Sequence, residues 1–338
     1  MMSIRENTCA REKEILSPYA AFACESKGRL RPEEECPVRT AFQRDRDRII
    51  HCSSFRRLKH KTQVFLSPEG DYYRTRLTHT LEVSQIARTI ADALMLNSDL
   101  TEAIALGHDL GHTPFGHAGE RALNGICPAG FKHYTQSMRV VDVLEKDGKG
   151  LNLTFEVRNG IERHTNGEQA ATLEGRIVRL ADRIAYINHD IDDATIAGIM
   201  CEEDIPLAIR NELGHSKSKR INTLVLSCIE NSVDDIILDK GIQQVFDELH
   251  SFMFEKVYTN PVCKSEEKKA VEMIQKLYLH YVEKPDELPE QFKLIAENDG
   301  IHTAACDFIA GMTDRYAVRV FNELYVPKAW SEINDSFL

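Results

Sequence analysis

Residues 107–120, Gly-His-Asp-Leu-Gly-His-Thr-Pro-Phe-Gly-His-Ala-Gly-Glu, place three histidines and two carboxylates within one short stretch of the chain. His108 and Asp109 are adjacent, so they cannot share a helix face at the usual four-residue spacing, but at a helix end both can turn toward one ion. Imidazole and carboxylate together suit a borderline or hard divalent metal. A His-Asp pair on its own is more often a chance dipeptide, so its meaning depends on its surroundings.

The helices predicted before this stretch point two histidines inward. His79 lies four residues before Val83, on the same apolar face. That face is formed by residues at helical spacing: Val83, Ile86, Ile90 and Leu94. After a loop at residues 97–99, a second helix runs through Leu100 and ends its inward-facing row at His108. Each histidine alone could be a core residue satisfied by a backbone carbonyl, but the two together predict a shared metal site.

A loop and a further helix follow the His-Asp pair. Gly111, Pro114 and Gly116 break the helix and leave His112 in a loop. His117 and Glu120 then share one face of the next helix, where a carboxylate raises the pKa of an imidazole and fixes its tautomer. Such a pair suits a general acid or base, although it also occurs as an ordinary surface pair in a first helical turn.

Asp182 is the best candidate for the second carboxylate of the metal site. The pattern predicts a long helix over residues 172–195, in which this aspartate lies within an apolar stripe. An aspartate in such a place is unfavourable unless it is paired or binds an ion.

The distribution of charge limits which ligands and macromolecules the protein is expected to bind. Among the 338 residues, 42 Lys and Arg stand against 53 Asp and Glu, which gives a net charge of −11. Residues 39–88 nevertheless hold 11 basic and 5 acidic residues, a local charge of +6. This region suits a polyanionic small ligand or a solvated arginine-rich helix, while single-stranded DNA is a conceivable but disfavoured partner.

Nine cysteines lack Cys-x-x-Cys spacing, so neither a disulfide framework nor a zinc ribbon is expected. Neither a signal peptide nor an apolar run of membrane-spanning length is evident. We therefore expect a soluble, cytoplasmic protein with no membrane contact.

The remaining patterns predict an all-α fold with little or no β structure. Residues 1–38 are predicted to form an N-terminal arm whose order depends on contact with another body, 39–205 a core, and 206–338 a C-terminal helical region packed on it. Within the core we expect one helix over residues 40–55, a short strand over 63–66, and one helix over 131–143.

The combination of His79, His108, Asp109 and Asp182 resembles the His…His-Asp…Asp ligand set of HD-domain phosphohydrolases. Residues 76–83, 108–117 and 179–186 further resemble the deoxynucleoside triphosphate triphosphohydrolases, the dGTPase-like family. Residues 39–50, 55–65 and 311–317 agree with this likeness, which spans about residues 9–330.

The resemblance implies an HD-domain helical fold that hydrolyses a deoxynucleoside triphosphate (dNTP) to deoxynucleoside and inorganic triphosphate. The four ligands would hold one divalent ion, with Mg, Mn, Fe, Co, Ni and Zn all compatible. His117, poised by Glu120, would carry a proton as acid or base. His112, Arg76 and His133 would act on the phosphates, while phosphate and sugar would be lined by three residues of one helix: Arg183, Tyr186 and Asp190.

Two further implications concern His133 and the assembly. The family pattern has asparagine after the histidine at this position, whereas this chain has Tyr134, which makes the role of His133 the less secure one. The family likeness also implies a homo-oligomer whose activity responds to dNTP effectors at subunit interfaces, and the basic residues 39–61 are a candidate for that site.

Two alternatives stay open. The chain could be another HD-domain phosphohydrolase, acting on a monophosphate, a cyclic nucleotide or guanosine tetraphosphate; the Leu110-Gly111-His112 sequence differs from the Glu-Asp pair of the alarmone hydrolases. It could instead be a catalytically silent nucleotide sensor. The presence of His117 and Glu120 argues against a sensor, because pure binding needs no proton-transfer pair.

Overall fold

The computed structural model describes residues 2–63, 74–165, 167–259 and 261–327. Across these ranges the chain forms helices and turns, and its β contacts are two isolated bridges, Arg29 with Thr154 and Thr62 with Thr75. The predicted all-α fold is confirmed. In chain order the α-helices are α1 (Ile4–Ile15), α2 (Ala41–Ile50), α3 (Ser53–Arg57), α4 (Arg76–Ala93), α5 (Ser98–Gly107), α6 (Gly116–Ile126), α7 (His133–Arg139), α8 (Glu145–Gly148), α9 (Phe155–Glu162), α10 (Leu173–Ile196), α11 (Leu207–Leu213), α12 (Lys217–Asn231), α13 (Lys240–Met253), α14 (Pro261–Glu283), α15 (Glu290–Asp299), α16 (Ile301–Ala310) and α17 (Asp314–Tyr325).

The first hydrophobic core is built on α10, which packs against α4 and α5. Side-chain caps fix where these helices begin: Thr75 caps α4, Asn97 caps α5 and Thr172 caps α10, each accepting a backbone N–H three residues later. The apolar stripe of α4 is buried as predicted, with Val83 and Ile90 fully enclosed. These three helices carry all four predicted metal ligands toward one point.

The N-terminal arm packs on this first core. Cys9, Ala20 and Ala23 belong to the core's buried set. The buried Glu174 carboxylate accepts the backbone N–H of Ala21 at 2.9 Å, so α10 also holds the arm by a polar contact. The body on which the order of residues 1–38 depends is therefore the rest of the same chain.

A second core lies between α6 and the last four helices. Ala122 and Leu123 of α6 are fully buried there with Ile274 of α14 and Ile309 of α16. By contrast, α11, α12 and α13 contribute apolar residues to the first core, where Leu213 and Phe246 are buried. Residues 206–338 thus supply helices to two cores, and α6 lies between the predicted metal ligands and the C-terminal helices.

Two predicted helices differ in their bounds. The helix predicted over residues 40–55 is broken after Ile50, because Cys52 caps α3 and the Glu145 carboxylate accepts the backbone N–H groups of Ser53 and Ser54. The helix predicted over residues 131–143 begins at His133 and widens into a π-turn over Val140–Leu144.

Most of the predicted strand lies outside the described residues, of which Gln63 is the last before the gap. Among the described helices, none combines the length and apolar character needed to cross a bilayer.

Candidate active site

Four side chains that are distant in sequence converge at the centre of the first core. His79 comes from the first turn of α4, His108 and Asp109 from the end of α5, and Asp182 from the middle of α10. His79 Nε2 lies 3.1 Å from Asp182 Oδ1 and 3.8 Å from Asp109 Oδ2, and His108 Nε2 lies 3.5 Å from Asp109 Oδ1. The structure therefore brings all four predicted ligands together.

The tautomer of His108 shows what this cluster can hold. Its Nδ1–H donates to the Ala105 carbonyl oxygen at 2.6 Å, since a carbonyl can only accept. The buried Nε2 has no hydrogen-bond partner among the described residues, and lies 3.5 Å from the Asp109 carboxylate and 3.9 Å from the Asp182 carboxylate. Both separations exceed the roughly 2.7–3.2 Å of an N–H···O bond, so a proton does not bridge them. A lone pair facing two carboxylates fits a divalent cation.

His79 is oriented by a second pair that the sequence did not reveal. His189 Nε2 lies 2.9 Å from Glu82 Oε2, and His189 Nδ1 lies 3.4 Å from His79 Nδ1. Burial lowers the pKa of His189 to about 4, so this ring is neutral; with its own proton on the Nε2 that faces Glu82, its Nδ1 accepts a hydrogen bond from His79 Nδ1–H. The His79 Nε2 lone pair is thereby directed at the carboxylates, as an outer hydrogen bond does for a metal-binding imidazole.

The two carboxylates are held in their charged form. Burial alone would raise the pKa of Asp109 and Asp182. The Arg76 guanidinium at Asp109, and the imidazoles of His108 and His79 when they are protonated, outweigh burial, so both pKa values lie below the ordinary range. Arg76 is buried and its Nη1 donates to Asp109 Oδ2 at 2.6 Å. The sequence predicts a phosphate contact for Arg76 but does not reveal its hydrogen bond to Asp109.

A cluster of imidazoles stands beside the predicted metal site. His112 and His133 stack at 4.1 Å between ring centroids, and the His117 ring lies 5.6 Å from that of His112. Glu120 Oε2 lies 3.0 Å from His133 Nδ1 and 3.7 Å from His117 Nδ1. Although burial opposes it, the imidazoles lower the pKa of Glu120 well below its usual range. His117 is the exposed member, with 67% of its side chain accessible, whereas Glu120 binds mainly to His133.

His164 completes this cluster and was missed from the sequence. Its Nδ1–H donates to the Ile161 carbonyl at 2.7 Å, so its Nε2 accepts from His133 Nε2 at 3.2 Å. Glu120 and His164 therefore fix the His133 ring from both sides. The apolar spacing of Val157 and Ile161, with His164 three residues later, was the available signal for a buried histidine at the end of α9.

The three residues predicted along the substrate side of α10 have different surroundings. Arg183 lies over the Phe246 ring at 4.8 Å and pairs with Asp247 of α13, so it points away from the metal cluster. Tyr186 is largely buried beside Asp182, and burial raises its pKa above the ordinary range.

Asp190 bonds to the Tyr258 hydroxyl, and its Oδ1 has no hydrogen-bond partner among the described residues. Tyr186 and Asp190 therefore face the region between α10 and the residues around α13.

Comparisons with known proteins agree with this geometry. Residues 76–187 match the HD domain, and residues 236–323 match the phosphohydrolase-associated domain. A deoxyguanosinetriphosphate triphosphohydrolase-like protein of Caldanaerobacter subterraneus subsp. tengcongensis is 54% identical over 98% of this chain and 99% of its own. One from Clostridium perfringens is 51% identical over 97% and 99%. In fold, the chain resembles a phosphohydrolase from Bacteroides thetaiotaomicron, with a TM-score of 0.52 and 16% identity over 83% of this chain and 68% of that one. Two carboxylates, two oriented imidazoles and these relatives lead to one assignment: the chain is an HD-domain phosphohydrolase and belongs to the dGTPase-like family.

Proposed function

We propose that this protein hydrolyses deoxynucleoside triphosphates, dGTP among them, to deoxynucleoside and inorganic triphosphate. The observation that carries the proposal is the His108 Nε2 lone pair facing two carboxylates, with three imidazoles and Glu120 immediately beside it. The relatives named after dGTP hydrolysis support the substrate class. Water adds to the α-phosphorus, the bond to the 5′ oxygen breaks, and one water proton ends on the departing deoxynucleoside.

The four converging residues would hold one divalent ion: His79, His108, Asp109 and Asp182. Such an ion supplies Lewis-acid polarisation of a phosphate oxygen and neutralises developing charge. Neutral imidazole and carboxylate ligands admit Mg, Mn, Fe, Co, Ni or Zn.

Other side chains of the site transfer the proton, bind phosphate oxygens and position the predicted metal ligands. His117, exposed and 3.7 Å from Glu120, transfers the proton, and Glu120 sets its orientation. His112, whose buried Nδ1 has no hydrogen-bond partner among the described residues, binds a phosphate oxygen. His133, whose two ring nitrogens face Glu120 and His164, holds the stacked His112 in place, and its predicted phosphate contact would require one of those two bonds to break. Because Arg76 Nη1 donates to Asp109 and its Nη2 donates to the Gln63 carbonyl at 3.4 Å, the first task of this side chain is to position the Asp109 ligand. Its Nε has no hydrogen-bond partner among the described residues and is the donor left for a phosphate contact.

On the sugar side, Tyr186 packs against C2′ and Asp190 accepts the 3′ hydroxyl. A ribose 2′ hydroxyl would then clash with the tyrosine ring, which favours deoxynucleotides.

A product assay tests the function. The purified protein is incubated with each dNTP and with Mg²⁺, Mn²⁺ or Co²⁺, and we expect triphosphate and deoxynucleoside as first products. Orthophosphate or diphosphate as first product would instead favour another HD-domain phosphohydrolase. Binding without turnover under all metals and nucleotide mixtures would favour a silent sensor.

Variants test the assigned roles. His117→Ala should lower kcat at least about 100-fold, the usual contribution of a general acid or base, while metal content stays at the wild-type level. Asp182→Ala should lose both metal and turnover. His215→Ala, an exposed histidine before α12, is the matched control and should keep the wild-type rate. A wild-type rate in His117→Ala would disprove the proton-transfer role.

We also propose that an anionic effector, such as a second dNTP, binds a basic cavity beside α2 in a cytoplasmic homo-oligomer. The cavity measures about 420 Å³, and its basic lining includes Arg39, Arg44, Arg48, His51 and Arg56. Light scattering with and without dNTP tests the assembly. Arg56→Glu should weaken activation by a second dNTP, and equal activation curves would refute the effector site.

A further inference from the structure

The motif 311–317 has no part in the proposed chemistry, yet its aspartate lies against the catalytic loop, defined here as residues 112–117. Asp314 is the first residue of α17 and is only 8% exposed. Its Oδ1 accepts the backbone N–H of Phe115 at 3.0 Å, and its Oδ2 accepts the backbone N–H of Thr62 at 2.9 Å as well as the Thr62 hydroxyl. One carboxylate of the C-terminal region thus binds two distant segments.

The first segment starts the helix that carries the proton-transfer pair. Phe115 precedes α6 in the left-handed conformation, with φ 60° and ψ 25°, and α6 has no side-chain cap. This conformation costs a non-glycine residue about 1–2 kcal/mol, so it persists only where the surroundings hold it. His117 is the second residue of α6. The hydrogen bond from Phe115 to Asp314 is therefore placed to fix the direction in which His117 leaves the loop.

The second segment leads to the start of α4. Thr62 forms an antiparallel bridge with Thr75, the cap of α4, and the Arg76 N–H donates to the Lys61 carbonyl at 3.1 Å. The two segments also approach each other closely, since a Cβ on Gly116 would lie 3.0 Å from the Gln63 carbonyl oxygen. Asp314 therefore ties the start of α4 to the start of α6.

Lys61 makes a parallel connection. Its fully buried amino group donates to the carbonyl oxygens of His112, in the catalytic loop, and of Ala310, at 2.7 Å from the latter. The C-terminal helices thus contact the catalytic loop at two points, His112 and Phe115, through Ala310 by way of Lys61 and through Asp314 directly.

We propose that Asp314 is a positioning residue that holds the catalytic loop in the geometry from which His117 works. The phosphohydrolase-associated region is then a part of the active site's framework as well as a packing partner for α6. This inference deepens the proposed function and rests on it for the role of His117, whereas the placement of the loop can be measured without any substrate.

Amide hydrogen exchange tests the placement. Asp314→Asn keeps the size of the side chain but replaces one acceptor oxygen with an amide donor that cannot accept both backbone N–H groups. We expect the Phe115 amide to exchange at least about tenfold faster, the effect of losing one hydrogen bond. Glu287→Gln is the control, because Glu287 also accepts a hydrogen bond, from His280 at 2.7 Å, but does so away from the loop. Unchanged exchange at Phe115 in Asp314→Asn would overturn the inference.

Kinetics separate positioning from general stability. Asp314→Asn should lower kcat at least about tenfold, with KM within about threefold and metal content unchanged. In a His117→Ala background the same substitution should cause no further loss, because the loop then has no proton carrier to place. An equal loss in both backgrounds would refute the positioning role.

Failure of the proposed function and failure of the variant to fold can each be distinguished from failure of the positioning role. If the wild-type protein hydrolyses no dNTP, the proposed function fails, and the exchange measurement alone decides the inference. If Asp314→Asn does not fold, Thr62→Val removes the hydroxyl bond that helps to orient the same carboxylate toward Phe115. Faster exchange at Phe115 in that variant supports the inference, and unchanged exchange overturns it.

Discussion

Binding of a divalent ion should stabilise this protein by an amount that depends on Asp182. In the metal-free chain, the buried Asp109 carboxylate, the partly buried Asp182 carboxylate and two imidazole lone pairs face one another, which is unfavourable until a cation enters. An ion bound at 1,000 times its Kd adds about 4.1 kcal/mol to the free energy of unfolding. The unfolding entropy of 338 residues, at about 2.1 cal/mol/K per residue, is about 0.7 kcal/mol/K. The expected rise in Tm is therefore about 6 °C.

The assay is thermal unfolding with EDTA and then with increasing Mn²⁺. Asp182→Asn removes one charge, so we expect its EDTA-treated form to be at least as stable as the wild type, and its Tm to respond little to Mn²⁺. Asp235→Asn is the control, since Asp235 forms a surface ion pair with Arg176 of α10, the helix that also carries Asp182. Equal Mn²⁺ responses in wild type and Asp182→Asn would refute the assignment of this carboxylate as a ligand.

Three further predictions concern stability. Burial, with Asp193 adding to it, raises the pKa of Asp190 to about 7, so the free energy of unfolding falls as pH rises from about 3.8 to 7. With EDTA present, the stability that Asp190→Asn gains over the wild type should be greater at pH 8 than at pH 5. A pH-independent difference would contradict this. Burial and Arg57 lower the pKa of Lys61 to about 7, so the free energy of unfolding of the wild type, measured with denaturant, should rise between pH 7.5 and 9.5. Lys61→Met should show a flatter dependence on pH, and parallel curves for the two proteins would exclude Lys61 as the cause. A Cβ on Gly119 would lie 2.1 Å from the Pro114 carbonyl oxygen, so Gly119→Ala should lower the free energy of unfolding, measured with denaturant, by about 1–3 kcal/mol. In the same helix a Cβ on Gly125 would meet open space, so Gly125→Ala should not lower it.

The helical periodicity of the sequence indicated that His79, His108 and Asp182 point inward, and the family resemblance combined them with Asp109 into one predicted ligand set. His79 and Asp182 each lie on an apolar stripe, and a polar side chain directed into a core needs a partner or an ion. Because α4, α5 and α10 pack together, those inward-facing side chains meet. The helix bounds near Cys52 and Val140 could not be predicted, because they depend on contacts with Glu145 and on a π-turn.

Other site residues depend on tertiary contacts that no local pattern contains. Lys61 lies among charged residues that predict an exposed surface, yet its amino group is buried against the carbonyl of Ala310, 249 positions away. Asp314 belongs to a motif noted for its family likeness, but its partner Phe115 is 199 positions away. His164 and His189 could have been identified as inward-facing, although their partners could not.

The contact between Phe115 and Asp314 has a consequence for synthesis of the protein. A ribosome that adds about 5–20 residues per second needs about 10–40 s to travel the 199 positions between them. Once Asp182 has been added, the nascent chain holds all four predicted ligands for the ion, while α6 still lacks the helices that cover its apolar side. The contact that holds the catalytic loop therefore forms only when the last helix emerges, and a polypeptide terminated between Asp182 and Asp314 would carry the predicted metal ligands without that contact.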